Sequence, residues 1–251
     1  GGRMSGLAGR AVVITGASRG VGRLLAESFA ESGAALGLLA RDGTAVKELA
    51  NRLPVESVAV TCDVSRPDEV AEAFATVAGS LGRIDSVVAN AGIAPASGRA
   101  HKLSLDSWRA VLDVNLTGSF LTACAAHPYL AESGSGRLVL TSSVMARLPR
   151  RGVSAYAASK AGVEGLTRAL AADWAIDGIH VNAVAPGFLD AGMGTAFSET
   201  GRLRDQVLSR TVSGRFGEPG EFAEAVGFLA GSGSGYLTGQ VLAVDGGYGL
   251  S

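Results

Sequence analysis

Short apolar runs of strand length recur along the chain and alternate with longer amphipathic stretches. Strands are predicted for seven runs rich in β-branched and other apolar residues: 11–15, 34–40, 57–61, 86–89, 137–141, 180–184 and 241–244. Between them, apolar residues recur at three- and four-residue spacing, as in Val70, Phe74 and Val77, which is typical of helices packed on one side. Apolar strands that alternate with helices indicate a single doubly wound α/β domain, with a mainly parallel sheet covered on both faces.

Two segments break this regular alternation. Residues 93–102 and 188–217 follow predicted strands and lack a clear apolar period. In an open α/β sheet such loops form the walls of a ligand site, although a mobile surface excursion fits the same composition. No linker divides the chain, so residues 4–251 are expected to form one domain, with Gly1 to Arg3 as an expression scar.

Composition narrows the classes of function. The 251 residues are 47% hydrophobic and carry a formal net charge of −1, which argues against a nucleic-acid partner. No apolar run approaches the length of a membrane span, so a soluble, cytoplasmic protein is expected. Cys62 and Cys124 are predicted to be buried thiols, and the three scattered histidines predict no metal site.

A glycine cluster follows the first predicted strand. The run Thr15-Gly16-Ala17-Ser18-Arg19-Gly20-Val21-Gly22 leads directly into a helix, whose free N–H groups could hold a pyrophosphate. A tight strand-to-helix turn needs glycine with or without a ligand. The next predicted strand begins about twenty residues later, as a nucleotide-binding βαβ unit requires, and favours the ligand.

The end of the second strand bears on which dinucleotide binds. NAD binders place an acid there, and Ala40 occupies that position in this sequence. Arg41 follows, and Arg19 lies in the glycine loop, so two guanidinium groups could hold a 2′-phosphate. NADP(H) is predicted over NAD(H). NAD(H) stays possible, because a strand ending one residue later would give Asp42 the ribose role.

A tyrosine and a lysine share one side of a later helix. Tyr156 and Lys160 are four residues apart in a helix predicted to continue through Trp174, and a cation beside a phenol lowers the phenol pKa. Ser143 follows the fifth predicted strand, where its hydroxyl could donate to a carbonyl oxygen. A solvated helix side and an ordinary strand-end turn would account for the same residues without chemistry.

Taken in order, these motifs resemble the short-chain dehydrogenase/reductase family, most closely its 3-oxoacyl-acyl-carrier-protein reductases. The resemblance covers nearly all of residues 7–247 and implies one Rossmann-like domain. The motifs are Thr15-Gly16-x-x-x-Gly20-x-Gly22, Asp63-Val64, Asn90-Ala91-Gly92, Val114-Asn115, Ser142-Ser143, Tyr156-x-x-x-Lys160, Pro186-Gly187 and Val244-Asp245-Gly246-Gly247.

The resemblance implies hydride transfer between a nicotinamide and a ketone or secondary alcohol. Tyr156 would be the general acid/base, Lys160 would bind the nicotinamide ribose, Ser143 would polarise the carbonyl, and Asn115 would hold a water in a proton relay. From the residues alone, Asn115 ahead of Gly118 indicates a helix kink. The implied cofactor-binding residues are Gly16, Ser18, Arg19, Gly20, Val21, Gly22, Arg41, Asp63, Val64, Asn90, Ala91, Gly92, Tyr156, Lys160, Pro186, Gly187 and Leu189.

The sequence departs from the family pattern at two positions. Ala191 stands where related enzymes carry a threonine that contacts the cofactor carboxamide, which favours weaker binding. Asp177 replaces a basic residue that meets the acidic carrier, which favours a free or CoA-linked ketone, a sugar or a secondary alcohol.

A cluster of three arginines after the fifth predicted strand allows more than one interpretation. Arg147, Arg150 and Arg151 either belong to a solvated loop or attract an anionic substrate.

The resemblance implies a homotetramer assembled through the helices of residues 108–130 and 156–174. A nucleotide-binding regulator or scaffold without turnover is the competing hypothesis of a different class, and an NAD-dependent alcohol or sugar dehydrogenase is the competing hypothesis within the family.

Overall fold

Seven strands form one sheet in the computed structural model, which describes residues 6–94, 98–191 and 201–250. The strands are β1 (Ala11–Thr15), β2 (Ala35–Ala40), β3 (Ser57–Thr61), β4 (Ser86–Ala89), β5 (Arg137–Thr141), β6 (His180–Pro186) and β7 (Val241–Val244). Their order is β3-β2-β1-β4-β5-β6-β7, and every neighbouring pair is parallel. The predicted doubly wound α/β fold is confirmed; the predicted scar lies outside the described residues.

The strand predictions hold to within two residues. β6 extends past the predicted end because Ala185 and Pro186 still pair with Ala243 and Val244 of β7. The helices of eight or more residues in the described part are α1 (Gly20–Glu31), α2 (Gly43–Arg52), α3 (Pro67–Leu81), α4 (Leu105–Leu112), α5 (Gly118–Glu132), α6 (Ser154–Trp174), α7 (Gly201–Leu208) and α8 (Pro219–Ala230).

Alternating residues of the strands belong to two separate hydrophobic cores, one on each face of the sheet. Val12 and Ile14 of β1 belong to the cluster that also includes buried residues of α1, α2 and α8. Val13, between them, belongs to the opposite cluster, which includes buried residues of α3, α5 and α6. Because both faces of the sheet are covered, its strands are apolar at nearly every position, and this is why they form continuous apolar runs in the sequence.

The helix around Asn115 is distorted, as the sequence predicts. A π-helical turn, Asp113–Thr117, lies between α4 and α5. Gly118 begins α5 against Val64, where an added Cβ would lie 2.7 Å from a Val64 methyl. The π-helical turn is a local distortion at the place where the sequence indicates a kink, and the absence of a side chain at residue 118 lets the helix approach the segment after β3.

A network of polar side chains joins neighbouring strands at their amino-terminal ends. This edge of the sheet is opposite the carboxyl ends that carry the sequence motifs. The Arg10 guanidinium donates to the carbonyls of Asp85 and Ser135, both at 2.9 Å, and the Asp85 carboxylate accepts from the Ala11 N–H at 2.9 Å. Arg137 donates to the Gly136 carbonyl at 3.0 Å. The bonds of Arg10 and Asp85 tie the start of β1 to the segments that enter β4 and β5, and the Arg137 bond fixes the entry of β5; together they are called the amino-edge network below.

Two sequence expectations about burial and secondary structure are wrong. Cys62 is buried as predicted, but Cys124 on α5 is exposed. The segment 188–217 is not irregular throughout, because α7 lies within it. Only part of that segment is described, since residues 192–200 lie outside the described ranges.

Two findings concern membranes and metals. None of the helices in the described part is both long and apolar enough to cross a bilayer. Among the same residues, no group of three or more His, Cys, Asp or Glu is arranged to hold a metal ion.

Candidate functional site

The loop after β1 is shaped by three glycines. Gly16 and Gly20 have φ values of +69° and +55°, a conformation that side chains disfavour. Gly22 lies in α1, where an added Cβ would come within 2.1 Å of the Gly16 carbonyl oxygen. The loop therefore brings its main chain close to the first turn of α1, and only glycine permits that approach.

The amino terminus of α1 is open to an anion. Its N-cap, Arg19, makes no side-chain capping bond, and the first turn of the helix contains no acidic residue. The first N–H groups of a helix have no partner within the helix and carry partial positive charge. This end of α1 is thus suited to a phosphate group, as the glycine cluster predicts.

A cavity of about 860 Å³ lies at this loop, where the carboxyl ends of β1 and β4 meet. That junction is the point at which the strand order reverses, and open α/β sheets bind ligands there. Its lining is Gly16, Ser18, Arg19, Gly20, Val21, Gly22, Ala40, Arg41, Asp42, Cys62, Asp63, Val64, Asn90, Ala91, Gly92, Ile93, Ala94 and Val114.

The carboxyl end of β2 lies where the sequence places it. β2 ends at Ala40, and Arg41 and Asp42 follow it along the cavity wall. The Asp42 carboxylate accepts a hydrogen bond from the Ala45 N–H at 3.0 Å and so caps α2. Asp42 is thus a helix cap beyond the strand end, and the position at the strand end has no acid.

Asp63 follows β3 on the same cavity wall. Burial opposes its ionisation, but the main-chain and hydroxyl hydrogen bonds from Ser65, together with the charges of Arg41 and Arg66, outweigh burial and lower the Asp63 pKa. The Ser65 hydroxyl donates to the Asp63 carboxylate at 2.7 Å. A fixed, charged carboxylate therefore faces the cavity beside Arg41.

Thr15 and Asn90 join the two strands beneath the cavity. The Thr15 hydroxyl accepts from the N–H groups of Asn90 and Ala91, each at 3.1 Å, and the Asn90 amide donates to the Thr15 carbonyl at 3.1 Å. An added Cβ at Gly16 would lie 2.8 Å from the Ala91 Cα. The predicted residues Asn90 and Ala91 are thus held directly against the glycine loop, and Gly92 follows them along the cavity wall.

Asn115 links the cavity to α6. Its side chain is fully buried. The side-chain carbonyl accepts from the Ile93 N–H at 2.8 Å, and the amide donates to the Ile93 carbonyl at 2.9 Å and to the Ser159 hydroxyl at 3.1 Å. Asn115 therefore holds the segment after β4 against the helix that carries Tyr156 and Lys160.

Lys160 is a buried cation beside Tyr156. Its Nζ atom donates to the Thr141 carbonyl at 2.6 Å and lies 5.7 Å from the centroid of the Tyr156 ring. The lysine is only 3% exposed, and burial lowers its pKa to about 8. An added Cβ at Gly92 would lie 3.6 Å from the same Nζ atom, so the end of the cavity wall approaches this cation.

Ser143 and Tyr156 are also brought together. Burial raises the pKa of the Tyr156 phenol, and a hydrogen bond with the Ser143 side chain lowers it, but burial is the larger effect. The Ser143 hydroxyl also accepts from the Met145 N–H at 3.2 Å, which fixes the turn after β5. The expectation that the Tyr156 pKa is lowered towards neutrality is wrong for this site, because burial of the phenol dominates.

Glu164 is a site residue that the sequence interpretation missed. Its buried carboxylate accepts from the Arg147 guanidinium at 3.2 Å and from the Ser142 hydroxyl at 3.3 Å. It lies one helical turn beyond Lys160, on the same side of α6. That four-residue spacing is the feature of the sequence from which its position could have been predicted. Arg147 is therefore part of a structural ion pair that ties the loop after β5 to α6.

The remaining predicted residues lie outside the lining of this cavity. Pro186 ends β6, and the Gly187 N–H donates to the Val244 carbonyl at 2.9 Å. Leu189 is buried and forms an isolated bridge with Gly217. The lining residues outside the predicted set are Ala40, Asp42, Cys62, Ile93, Ala94 and Val114, and each lies within two residues of a predicted one.

Comparison with known proteins shows which family the chain resembles. A family model described as enoyl-(acyl carrier protein) reductase matches residues 16–249. The chain is 37% identical over 241 residues to cis-4-hydroxycyclohexanecarboxylate dehydrogenase of Sinomonas cyclohexanicum, covering 95% of this chain and 96% of the relative. It is 38% identical over 245 residues to a 3-oxoacyl-[acyl-carrier-protein] reductase of Thermotoga maritima, covering 96% and 98%.

A solved structure extends the likeness to the fold. The crystal structure of 3-ketoacyl-(acyl-carrier-protein) reductase from Brucella melitensis, complexed with NADH, has a TM-score of 0.89 at 30% identity, covering 96% of this chain and 99% of that one. Sequence and fold agree over almost the whole length. The chain belongs to the short-chain dehydrogenase/reductase family, and it is an oxidoreductase of ketones and secondary alcohols.

Proposed function

We propose that this protein is an NADP(H)-dependent oxidoreductase in which Tyr156 transfers the proton to or from the substrate oxygen. The observation that carries the proposal is the grouping of Ser143, Tyr156 and Lys160 beside the wall of a dinucleotide-sized cavity. Asn115 connects the two parts through its bonds to Ile93 and Ser159.

The residues present fit a dinucleotide. The uncapped amino terminus of α1 would take the pyrophosphate, and the glycine loop would let the main chain approach it. Asp63 and Val64 would hold the adenine, and Asn90, Ala91 and Gly92 would run beneath the cofactor. The nicotinamide end would be bordered by Pro186, the last residue of β6, and by Gly187 and Leu189, which follow it at the same edge of the sheet.

The preference for NADP(H) rests on the end of β2. A 2′-phosphate needs cations and repels a carboxylate. Arg19 and Arg41 both line the cavity, while the nearest acid in sequence, Asp42, accepts a helix N–H of α2. A relative crystallised with NADH is the reason to measure both cofactors.

The protein groups act on charge and orientation. When bound, the nicotinamide supplies or accepts the hydride. Ser143 orients the substrate oxygen, and Tyr156 gives that oxygen a proton in the reductive direction and removes one in the oxidative direction. The Lys160 cation would bind the ribose and stabilise negative charge on the phenol oxygen, and Asn115 would hold the water that exchanges protons with bulk solvent.

The Tyr156 phenol is protonated at neutral pH, because the ordinary pKa of a tyrosine is about 10 and burial raises it further. A phenol with a raised pKa stays protonated, and the reductive direction requires the protonated form. The oxidative direction requires the phenolate, so its rate should increase as the pH is raised. Reduction is therefore the direction in which this site is already in the correct protonation state.

Replacing Tyr156 by Phe tests the proposal. The purified protein would be supplied with NADPH or NADH and a panel of β-keto esters, acyl-CoA ketones, diketones, quinones and sugars. Tyr156→Phe should lose about a hundredfold or more in kcat, the usual scale of general acid/base catalysis, and keep its affinity for the cofactor. Tyr236→Phe is the matched control, because Tyr236 is fully exposed.

Two results would contradict the enzyme assignment. An unchanged rate in Tyr156→Phe would exclude the phenol as the proton donor. Tight cofactor binding by the wild type without turnover of any panel member would instead favour a nucleotide-binding regulator.

The same family resemblance supports a homotetramer assembled through α5 and α6. Phe120 and Cys124 are exposed on α5, as the covering of that helix by another subunit would require. Light scattering coupled to size-exclusion chromatography gives the mass in solution. A mass of about one chain would contradict this part of the proposal.

A further inference from the structure

One buried carboxylate contacts both ends of the turn that carries Ser143. This turn follows β5 and runs from Ser142 to Arg147. The Oε1 atom of Glu164 accepts from the Ser142 hydroxyl at 3.3 Å, and the Oε2 atom accepts from the Arg147 guanidinium at 3.2 Å. One partner precedes Ser143 and the other follows it, so a single side chain of α6 holds the segment on both sides of Ser143.

The turn is fixed internally by main-chain hydrogen bonds. The Ala146 N–H donates to the Ser143 carbonyl at 2.9 Å, and the Leu148 N–H donates to the Val144 carbonyl at 2.8 Å. At its start, the Ser142 N–H donates to a carbonyl of β6 at 2.8 Å. Because these bonds define the shape of the turn, the position of Ser143 relative to α6 depends on how the whole turn is held against that helix.

The turn is connected to α6 at two separate places. Tyr156 and Glu164 lie on the same side of the helix, two turns apart, which is about 12 Å along its axis. Ser143 bonds to the Tyr156 phenol at one place, and Ser142 and Arg147 bond to Glu164 at the other. Two separated connections fix the orientation of the turn as well as its distance from α6.

The Glu164 side chain is enclosed, whereas its ionic partner is open to solvent. The Glu164 side chain is 9% exposed and the Arg147 side chain 58%. A buried ion pair stabilises a fold little more than apolar side chains of the same size, because desolvation offsets the attraction. The directions of its hydrogen bonds are a separate contribution. The location of this pair beside Ser143 therefore favours a role in orientation over a role in overall stability.

We propose that Glu164 is a positioning residue for the reaction, which holds the turn after β5 so that Ser143 stays bonded to Tyr156. The inference rests on the proposed function and adds to it a residue that acts through Ser143. Ser142 and Arg147 are the two groups that transmit the hold. When the hold is lost, Ser143 moves away from the phenol, and the substrate oxygen is oriented less well.

The kinetic test uses Glu164→Gln, Arg147→Gln and the double variant in ketone reduction, with the best substrate of the panel. Glutamine keeps the size of glutamate and removes the charge that binds Arg147. Each single variant should lower kcat by about fivefold, the scale of one hydrogen bond, and keep the cofactor Kd within about twofold. Because both changes break the same bond, the double variant should be no slower than either single variant. Arg147 is exposed, so Arg147→Gln should fold even if Glu164→Gln does not.

The pH profile of alcohol oxidation is a readout that a loss of stability alone would not change. The hydrogen bond with Ser143 lowers the pKa of Tyr156, and Lys160 is the charged group that lies beside the phenol ring. Weakening the Ser143 bond therefore raises the Tyr156 pKa. Oxidation requires the phenolate, so the increase of kcat with pH should occur at higher pH in Glu164→Gln than in the wild type.

Asp85→Asn is the matched control. Asp85 is also a buried carboxylate that is paired with an arginine, and it accepts from the Arg83 guanidinium at 3.0 Å, but it lies in the amino-edge network. This variant should lower the melting temperature and keep the kcat and the pH profile of the folded enzyme. If Asp85→Asn changed the profile as much as Glu164→Gln, the effect would not be specific to the turn, and the positioning role would be overturned.

The outcomes separate this inference from the proposed function. If the wild type reduces ketones and Glu164→Gln keeps its kcat and pH profile, apolar packing alone holds the turn; the positioning role is then overturned and the oxidoreductase assignment stands. If the wild type turns over no ketone, protein labelled with carbon-13 at the tyrosine hydroxyl carbon is titrated by NMR instead. The Tyr156 signal, assigned by its absence in Tyr156→Phe, should titrate at higher pH in Glu164→Gln, and an unmoved titration contradicts the inference.

Discussion

Replacing Asn115 by alanine would separate a structural role from a role in proton transfer. The side chain is fully buried and makes three hydrogen bonds, two to the main chain of Ile93 and one to Ser159. Alanine removes all three and leaves the Ile93 N–H and carbonyl without these partners. If Asn115 were needed only to hold a relay water, its replacement would lower kcat and leave the free energy of unfolding unchanged.

The expected size of the effect follows from those bonds. Each neutral hydrogen bond contributes about 1 kcal/mol net, and a buried group left without a partner costs about 1–3 kcal/mol. Asn115→Ala should therefore lower the free energy of unfolding by about 3–5 kcal/mol. For a chain of this length the melting temperature should fall by roughly 10 °C.

Asn182 provides a matched control at the other side of the sheet. It is also buried, donates to the Leu237 carbonyl at 2.8 Å and accepts from the Gln240 N–H at 3.0 Å. Asn182→Ala should lose comparable stability and keep the kcat of the folded enzyme. Thermal melts at fixed protein concentration and steady-state rates measure both quantities, and an unchanged melting temperature in Asn115→Ala would refute the structural role.

Three further perturbations test other parts of the structure. Arg41→Ala should weaken NADPH by about tenfold or more and leave NADH nearly unchanged in equilibrium titrations, and equal losses would contradict the NADP(H) proposal. Gly37→Ala places a Cβ 2.6 Å from a Val77 methyl and should cost about 1–3 kcal/mol, whereas Gly79→Ala, with open space around it, should not destabilise. Burial lowers the pKa of His180, so its contribution to stability is complete above about pH 6.5 and is lost as the pH falls below that value. Melting temperatures between about pH 7.5 and 5.5 should therefore fall less in His180→Gln than in the wild type.

The fold could be predicted because each level of the sequence agrees with it. The strands are apolar on both faces, since helices cover both sides of the sheet, and this produces continuous apolar runs between glycine turns. The end of β2 at Ala40 follows from the same pattern, because Asp42 and Gly43 have the residue types that begin a helix.

The errors came from properties that depend on distant parts of the chain. α5 carries small apolar residues around much of its circumference, so its pattern did not indicate that Cys124 is on the exposed side. The Tyr156 pKa depends on how deeply the phenol is buried, and the spacing to Lys160 contains no such information. The bonds between Asn115 and Ile93 span 22 residues and follow from packing.

The amino-edge network lies at the opposite edge of the sheet from the candidate functional site. The bonds of Arg10 to Asp85 and Ser135, and of Asp85 to Ala11, fix the entry of three central strands at the edge opposite the large cavity. Changes to the loops at the carboxyl edge therefore leave these bonds in place. In laboratory evolution, variants changed only in residues 93–102, 144–153 and 188–217 should still fold while their substrate preference changes. Substitutions in the network should reduce the yield of folded protein, and with it the activity towards every substrate.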